Sequence, residues 1–153
     1  TLAGPILAEL WVSTSGTDSD WIVKLIDVFP PDAKDHDFVR EGQHMSGYQM
    51  MVRSEVIRGR FRNSYEKPEP FVPNQPTFVD LPLQDVLHTF KKGHRIMVQV
   101  QCTWFPLVDR NPQKYVDKIY TDAKEKDFIK ATQRVYRSGE YATRFKVGVL
   151  PAQ

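Results

Sequence analysis

The sequence predicts an all-β fold, a two-sheet sandwich of jelly-roll type, on three observations. Alternation of apolar and polar residues with period 2 dominates the chain. Helical periodicity is weak throughout. The strand-like runs are joined by unequal loops with no βαβ rhythm, which favours two packed sheets. Of the sandwich topologies, the jelly roll accommodates long crossing connections best. The 153 residues, 41% of them hydrophobic, suit one domain with a real core, residues 1–153. No internal repeat or low-complexity stretch interrupts it.

Each element follows from local residue chemistry. Ile6 to Thr14 and Trp21 to Phe29 are rich in β-branched and aromatic residues and read as strands. Between them Ser15-Gly16-Thr17-Asp18-Ser19-Asp20 is turn chemistry, either a hairpin or a connection between sheets. Pro30-Pro31-Asp32 stops the second strand, because proline donates nothing to a ladder. Gly47 to Phe61 is mixed and reads as a strand. Prolines at 68, 70, 73, 76 and 82 predict a stiff, irregular connection, with a short strand over Pro82–Leu87. Arg95 to Cys102 is the cleanest strand: Ile96, Val98, Val100 and Cys102 share one face, and Met97, Gln99 and Gln101 the other. Cys102 is thereby expected to be an inert core thiol. Asp109-Arg110-Asn111-Pro112 is a turn signature, and residues 113–130 read as a polar surface excursion. Ala131–Arg137 alternates again, as do Phe145, Val147 and Val149 near the end.

Composition excludes several function classes. A net charge of +2, with 21 Lys and Arg against 19 Asp and Glu interspersed, lacks the basic stripe of a nucleic-acid binder. No apolar run approaches the roughly 18 residues of a membrane helix. A single cysteine excludes an internal disulfide and a cysteine-based zinc cluster. The chain begins Thr-Leu-Ala-Gly-Pro without a basic n-region or h-region, and a strand follows at once. It therefore reads as cut just upstream of an element, by processing or by design, and as a piece of a longer protein. The compartment stays open; secretion or a periplasmic location would need a signal ahead of Thr1.

Catalytic chemistry is sparse. Gly-x-Ser-x-Gly, the nucleophile elbow, is absent. Its nearest imitation, Gln43-His44-Met45-Ser46-Gly47, reads better as a turn than as a site for a Ser46 nucleophile. His88 and His94 lie on either side of a turn and, with Asp85, could form a metal half-site, but the spacing fits no usual zinc pattern. Asp18 and Asp20 are too few and too close for a calcium loop and read as turn residues. Phosphate-cradling glycine motifs are missing, so no cofactor is expected. The one suggestive feature is aromatic. Trp104-Phe105-Pro106 follows the cleanest strand, where a sandwich presents its loops, and Trp104 either stacks on a ligand or partner or caps the core. Trp11 and Trp21 read as core or sheet-rim residues.

The run Gly93–Val100, followed by Phe105-Pro106-Leu107-Val108-Asp109-Arg110-Asn111-Pro112, resembles the C-terminal domain of one serine-hydrolase group. That group holds the X-Pro dipeptidyl-peptidases, the cocaine-esterase-like hydrolases, the glutaryl-7-aminocephalosporanic-acid acylases and the α-amino-acid ester hydrolases. Gly4-Pro5, Trp11–Ser15, Thr17–Trp21, Leu25–Pro30, Arg58–Arg62 and Gln133–Tyr136 resemble further motifs of that domain, in order along nearly the whole chain. The Trp104-Phe105-Pro106-Leu107 run is closest to the acylase and ester-hydrolase branch, although Trp104 stands where members often have a small residue or Asn. The leader that usually precedes Gly4 in the family is also missing, which puts an early strand of the domain in doubt.

The resemblance implies a galactose-binding-like jelly roll at the C-terminal end of a longer hydrolase. Its parent would carry a Ser-Asp-His triad on an upstream α/β-hydrolase domain, with a helical cap, and would cleave amides or esters such as X-Pro dipeptides. The partners implied are those upstream domains of the same polypeptide, with oligomer contacts in some members. Within this chain no residue is catalytic. Trp104, Phe105, Pro106, Asp109, Arg110 and Asn111 are the expected interface or substrate-proximal residues. The alternative from another class is a free-standing carbohydrate-binding sandwich gripping a sugar with Trp104, Asp109 and Asn111.

Overall fold

Along β1 (Leu2–Thr14), Leu2, Ile6, Ala8, Leu10 and Val12 are buried and the residues between them less so. This places one face of the strand on the core, as period-2 geometry requires. The computed structural model describes residues 1–151. β1 pairs antiparallel with β4 (Thr77–His88) on one side. On its other side it meets β7 (Arg144–Val149) over its first half and β6 (Gln133–Val135) at its end. The second sheet has the order β3 (Gln49–Arg58), β2 (Asp20–Val28), β5 (Arg95–Gln101), again antiparallel throughout. Four strands thus face three across a core of aliphatic residues and Trp21, whose ring meets Phe71 edge-on at 6.5 Å. The all-β two-sheet expectation holds, and the helical elements are single turns such as α1 (Ile119–Asp122).

β2 is buried on both faces. Trp21, Val23 and Leu25 belong to the core, and Ile22 and Ile26 on the opposite face are buried as well. The segment after β5 folds back over that outer face, where the Lys24 ammonium lies 3.9 Å from the centre of the Trp104 ring. Trp11 sits at a sheet rim, its ring between Phe78 at 5.3 Å and Tyr141 at 5.0 Å.

Three boundaries differ from the sequence reading. β4 starts at Thr77, inside the proline-rich stretch expected to be irregular. It is an edge strand, paired only with β1, where the missing N–H of Pro82 costs no ladder bond. Its Val79, Leu81 and Leu83 are buried while the alternating Phe78, Asp80 and Pro82 are exposed. The alternation expected over 131–137 yields only the three-residue β6. The excursion at 113–130 is partly anchored: Ile119 is buried, and the Ile129 amide donates to the Pro112 carbonyl at 3.0 Å.

Candidate functional site

The loop between β1 and β2 carries two carboxylates that have left water. Asp18 and Asp20 are essentially inaccessible, so each needs a cation or several donors. Arg60, only 3% exposed, supplies both to Asp18: its Nε and Nη2 donate to Oδ2 at 3.0 and 2.6 Å. The Ser19 amide donates to the other oxygen at 3.0 Å. Arg60 Nη1 donates to the carbonyls of Val116 and Asp117 at 2.7 and 3.2 Å, and the guanidinium lies 4.3 Å from the centre of the Tyr115 ring. Asp20 receives Asn111 Nδ2 at 2.8 Å and faces Arg58 Nε at 3.4 Å. Burial still dominates and pushes its pKa up to about 6, although Arg58 and Asn111 oppose the rise. Arg58 bridges onward to Asp109 at 2.7 Å. Desolvation works against the Arg58 charge, but the Asp20 and Asp109 carboxylates outweigh it and hold its pKa above the ordinary value. This network ties residues 109–117 to the end of the sandwich. Asp18 and Asp20 are therefore ionic anchors rather than simple turn residues.

The turn just ahead of that segment, with Phe128 and Ile129 beyond it, presents an apolar surface. The Val108 amide closes a turn onto the Trp104 carbonyl at 2.9 Å. That turn leaves Phe105 66% and Leu107 70% exposed, with Phe128 and Ile129 exposed as well. The Arg110 guanidinium reaches the Phe105 and Phe128 rings at 5.9 and 5.5 Å. Beside them an open hollow of about 450 Å³ is lined by Cys102, Thr103, Arg110, Phe128, Lys130 and Gln133. Burial raises the Cys102 pKa, which disfavours its thiolate. An apolar patch with a cation at its centre is chemistry for a protein surface, with an acidic group opposite the arginine.

The six residues singled out from the sequence divide into two groups. Phe105, Pro106 and Arg110 are exposed on this surface. Asp109 and Asn111 are committed inward, Asp109 to Arg58 and Tyr120 Oη, and Asn111 to Asp20 and the Gln113 amide. Trp104 is half-buried with one ring face taken by Lys24. The trio that a sugar site would need is thus already engaged by the protein.

Among the described residues the hydrolytic and metal constellations weighed from the sequence do not assemble. Ser46 Oγ donates to the Pro31 carbonyl, while His44 Nδ1 pairs with Asp35 Oδ2 at 2.9 Å in an exposed loop. The Met45 amide, then His44, hold the Asp35 carboxyl below its ordinary pKa. His88 and His94 do converge, but on Asp27 rather than Asp85: His88 Nε2 meets Oδ2 at 2.9 Å and His94 Nδ1 meets Oδ1 at 2.8 Å. One buried carboxylate thus takes both imidazoles. Among the described residues no group of three or more His, Cys, Asp or Glu could hold a metal ion. Sequence pattern alone gives Asp18 and Arg60 no ionic role; for Asp27 the available signal is a carboxylate inside the apolar run Trp21–Phe29, which demands buried partners.

A jelly-roll sandwich that carries an exposed apolar face around a cation has the build of an accessory domain. The chain belongs to the family of X-Pro dipeptidyl-peptidase C-terminal non-catalytic domains, whose model matches residues 1–145. It is 26% identical to cocaine esterase from Rhodococcus sp. (strain MB1 Bresler) over 149 residues, 97% of this chain and 23% of that protein. Two solved structures superpose closely. An aminopeptidase from a marine-sediment Thaumarchaeota archaeon gives a TM-score of 0.87 at 44% identity, over 95% of this chain and 23% of that one. An α-amino acid ester hydrolase gives 0.88 at 45% identity, over 97% and 23%. A CocE/NonD-family hydrolase from Staphylococcus aureus shares the fold, with a TM-score of 0.65 at 17% identity, over 97% and 28%. The chain spans under a third of the length of each of these relatives.

Proposed function

We propose that the sandwich serves as the C-terminal accessory domain of a larger serine hydrolase of the dipeptidyl-peptidase, acylase or esterase type. It docks on the catalytic α/β-hydrolase domain through the Phe105–Leu107 turn and the Phe128–Ile129 edge, and helps shape the approach to the active site. The observation that carries this reading is the exposed apolar face of Phe105, Leu107, Phe128 and Ile129 around Arg110. Apolar anchors clustered around an arginine are what the core of a stable interface uses.

The test is calorimetry between this chain and the separately produced remainder of its polypeptide. Association is expected, and Phe105→Asp with Leu107→Asp weakens it about 10-fold or more, the usual cost of losing an interface anchor. Unchanged affinity in that double variant would remove this face from the docking surface.

A further inference from the structure

The open hollow beside the Trp104–Val108 turn is a small-molecule site in its own right. Cys102 and Thr103 at the end of β5 form one wall, residues 110–113 a second and residues 128–133 a third, around a volume of about 450 Å³. Small-molecule sites occupy roughly 300–1,000 Å³. Both loop walls are tied to the sandwich. Asn111 Nδ2 donates to Asp20 at 2.8 Å, the Ile129 amide to the Pro112 carbonyl at 3.0 Å, and the Ser15 amide to the Thr132 carbonyl at 3.0 Å. The hollow is therefore formed before anything enters it.

Its charge has one sign and no counterpart. Arg110 and Lys130 line it, and among the described residues neither is paired with a carboxylate. The adjacent acids are already taken, Asp109 by Arg58 at 2.7 Å and Asp127 by Lys114 at 2.6 Å. Arg110 lies by the Phe105 and Phe128 rings, and contact with aromatic faces leaves its N–H donors without an acceptor. Burial disfavours the Cys102 thiolate, so that wall adds no negative charge. The remaining lining includes Phe128, Ile129 and Ala131, which are apolar. We propose that this hollow binds a small carboxylic acid, its carboxylate taken by Arg110 and Lys130 and its hydrocarbon body laid on Phe128, Ile129 and Ala131. A guanidinium fork matches the planar, two-oxygen anion, and the apolar lining favours an acid with a hydrocarbon body over a bare anion such as phosphate.

All three walls belong to this chain, so the site does not rest on the docking role, and either can fail without the other. Methyl NMR of the complete polypeptide tests it, read at the Ile129 and Ala131 methyl groups with 3-phenylpropionate as the probe. Saturable shifts are expected with a Kd of about 1 mM, ordinary for a ligand of this size. The neutral 3-phenylpropionamide should bind about 10-fold or more weakly, because it offers the cations no charge. Arg110→Gln should weaken the acid about 10-fold or more and leave the amide unchanged, which a merely disrupted hollow would not do. Equal affinity for acid and amide, or an acid affinity untouched by Arg110→Gln, would overturn the site. Inorganic phosphate displacing the acid at equal concentration would reduce it to general anion binding and overturn it too. Silent methyl groups in the complete polypeptide would assign the hollow to a side chain of the upstream domains and overturn the free acid.

Discussion

Replacing Arg60 with methionine isolates the ion pair on which the loop end is built. The guanidinium is 3% exposed, and its loss strips Asp18 of both side-chain donors and leaves the carbonyls of Val116 and Asp117 without that partner. Removing one member of a buried, hydrogen-bonded pair costs about 3–5 kcal/mol, because the remaining charge stays buried and uncompensated. For a domain of this size that corresponds to a fall in Tm of roughly 10 °C. Urea unfolding followed by Trp21 fluorescence measures it, since that ring is 1% exposed in the fold. Combining Arg60→Met with Asp18→Asn should cost at least about 2 kcal/mol less than the sum of the two, because the second change removes the stranded charge. A loss below about 1 kcal/mol for Arg60→Met, or plain additivity in the pair, would refute the network's role.

Other expectations concern the same scaffold. The Asp20 carboxyl, pushed to about 6 by burial, contributes stability that is complete below its ordinary 3.8 and is lost as pH rises through 6. Asp20→Asn has no such loss, so its stability relative to the parent should rise by up to about 3 kcal/mol between pH 3.5 and 7. A difference that stays flat across that window would contradict the assignment. A methyl group on Gly59 would sit 2.6 Å from both the Ser19 carbonyl and the Phe71 ring. Gly59→Ala should therefore cost about 1–3 kcal/mol in urea unfolding, and a neutral result would show that the loop yields easily. His94→Phe leaves one Asp27 oxygen without its imidazole partner and should cost about 1–3 kcal/mol, whereas Leu87→Ala on the exposed side of β4 stays within about 0.5 kcal/mol. Equal costs would argue that Asp27 finds other donors.

The sheets were legible because the alternating faces of a strand write themselves into period 2. Ile96, Val98 and Val100 in β5, and the apolar runs of β1 and β2, announce their strands directly. β4 was legible only in part. Its prolines signal a break unless one knows that the strand is an edge, and edge position is set by chain topology rather than by local sequence. The order of motifs along the chain carried the family, which the match over residues 1–145 bears out. The site was harder to read. Phe105 and Arg110 could be singled out from their place after a strand, but the inward turn of Asp109 and Asn111 depends on Arg58 and Asp20, which lie 51 and 91 residues away. Pairing across such separations leaves no periodic trace. The same holds for Asp27, whose two imidazoles come from 61 and 67 residues downstream.

In the proposed role this sandwich serves a hydrolase without performing hydrolysis itself. The most direct measurement is turnover of a p-nitrophenyl ester by the purified 153-residue chain, set against buffer and against the complete polypeptide. A rate indistinguishable from buffer is expected for the chain, and saturable turnover for the complete polypeptide. Saturable turnover by the chain alone, persisting after Ser46→Ala and His44→Ala, would place the chemistry inside the sandwich and contradict it.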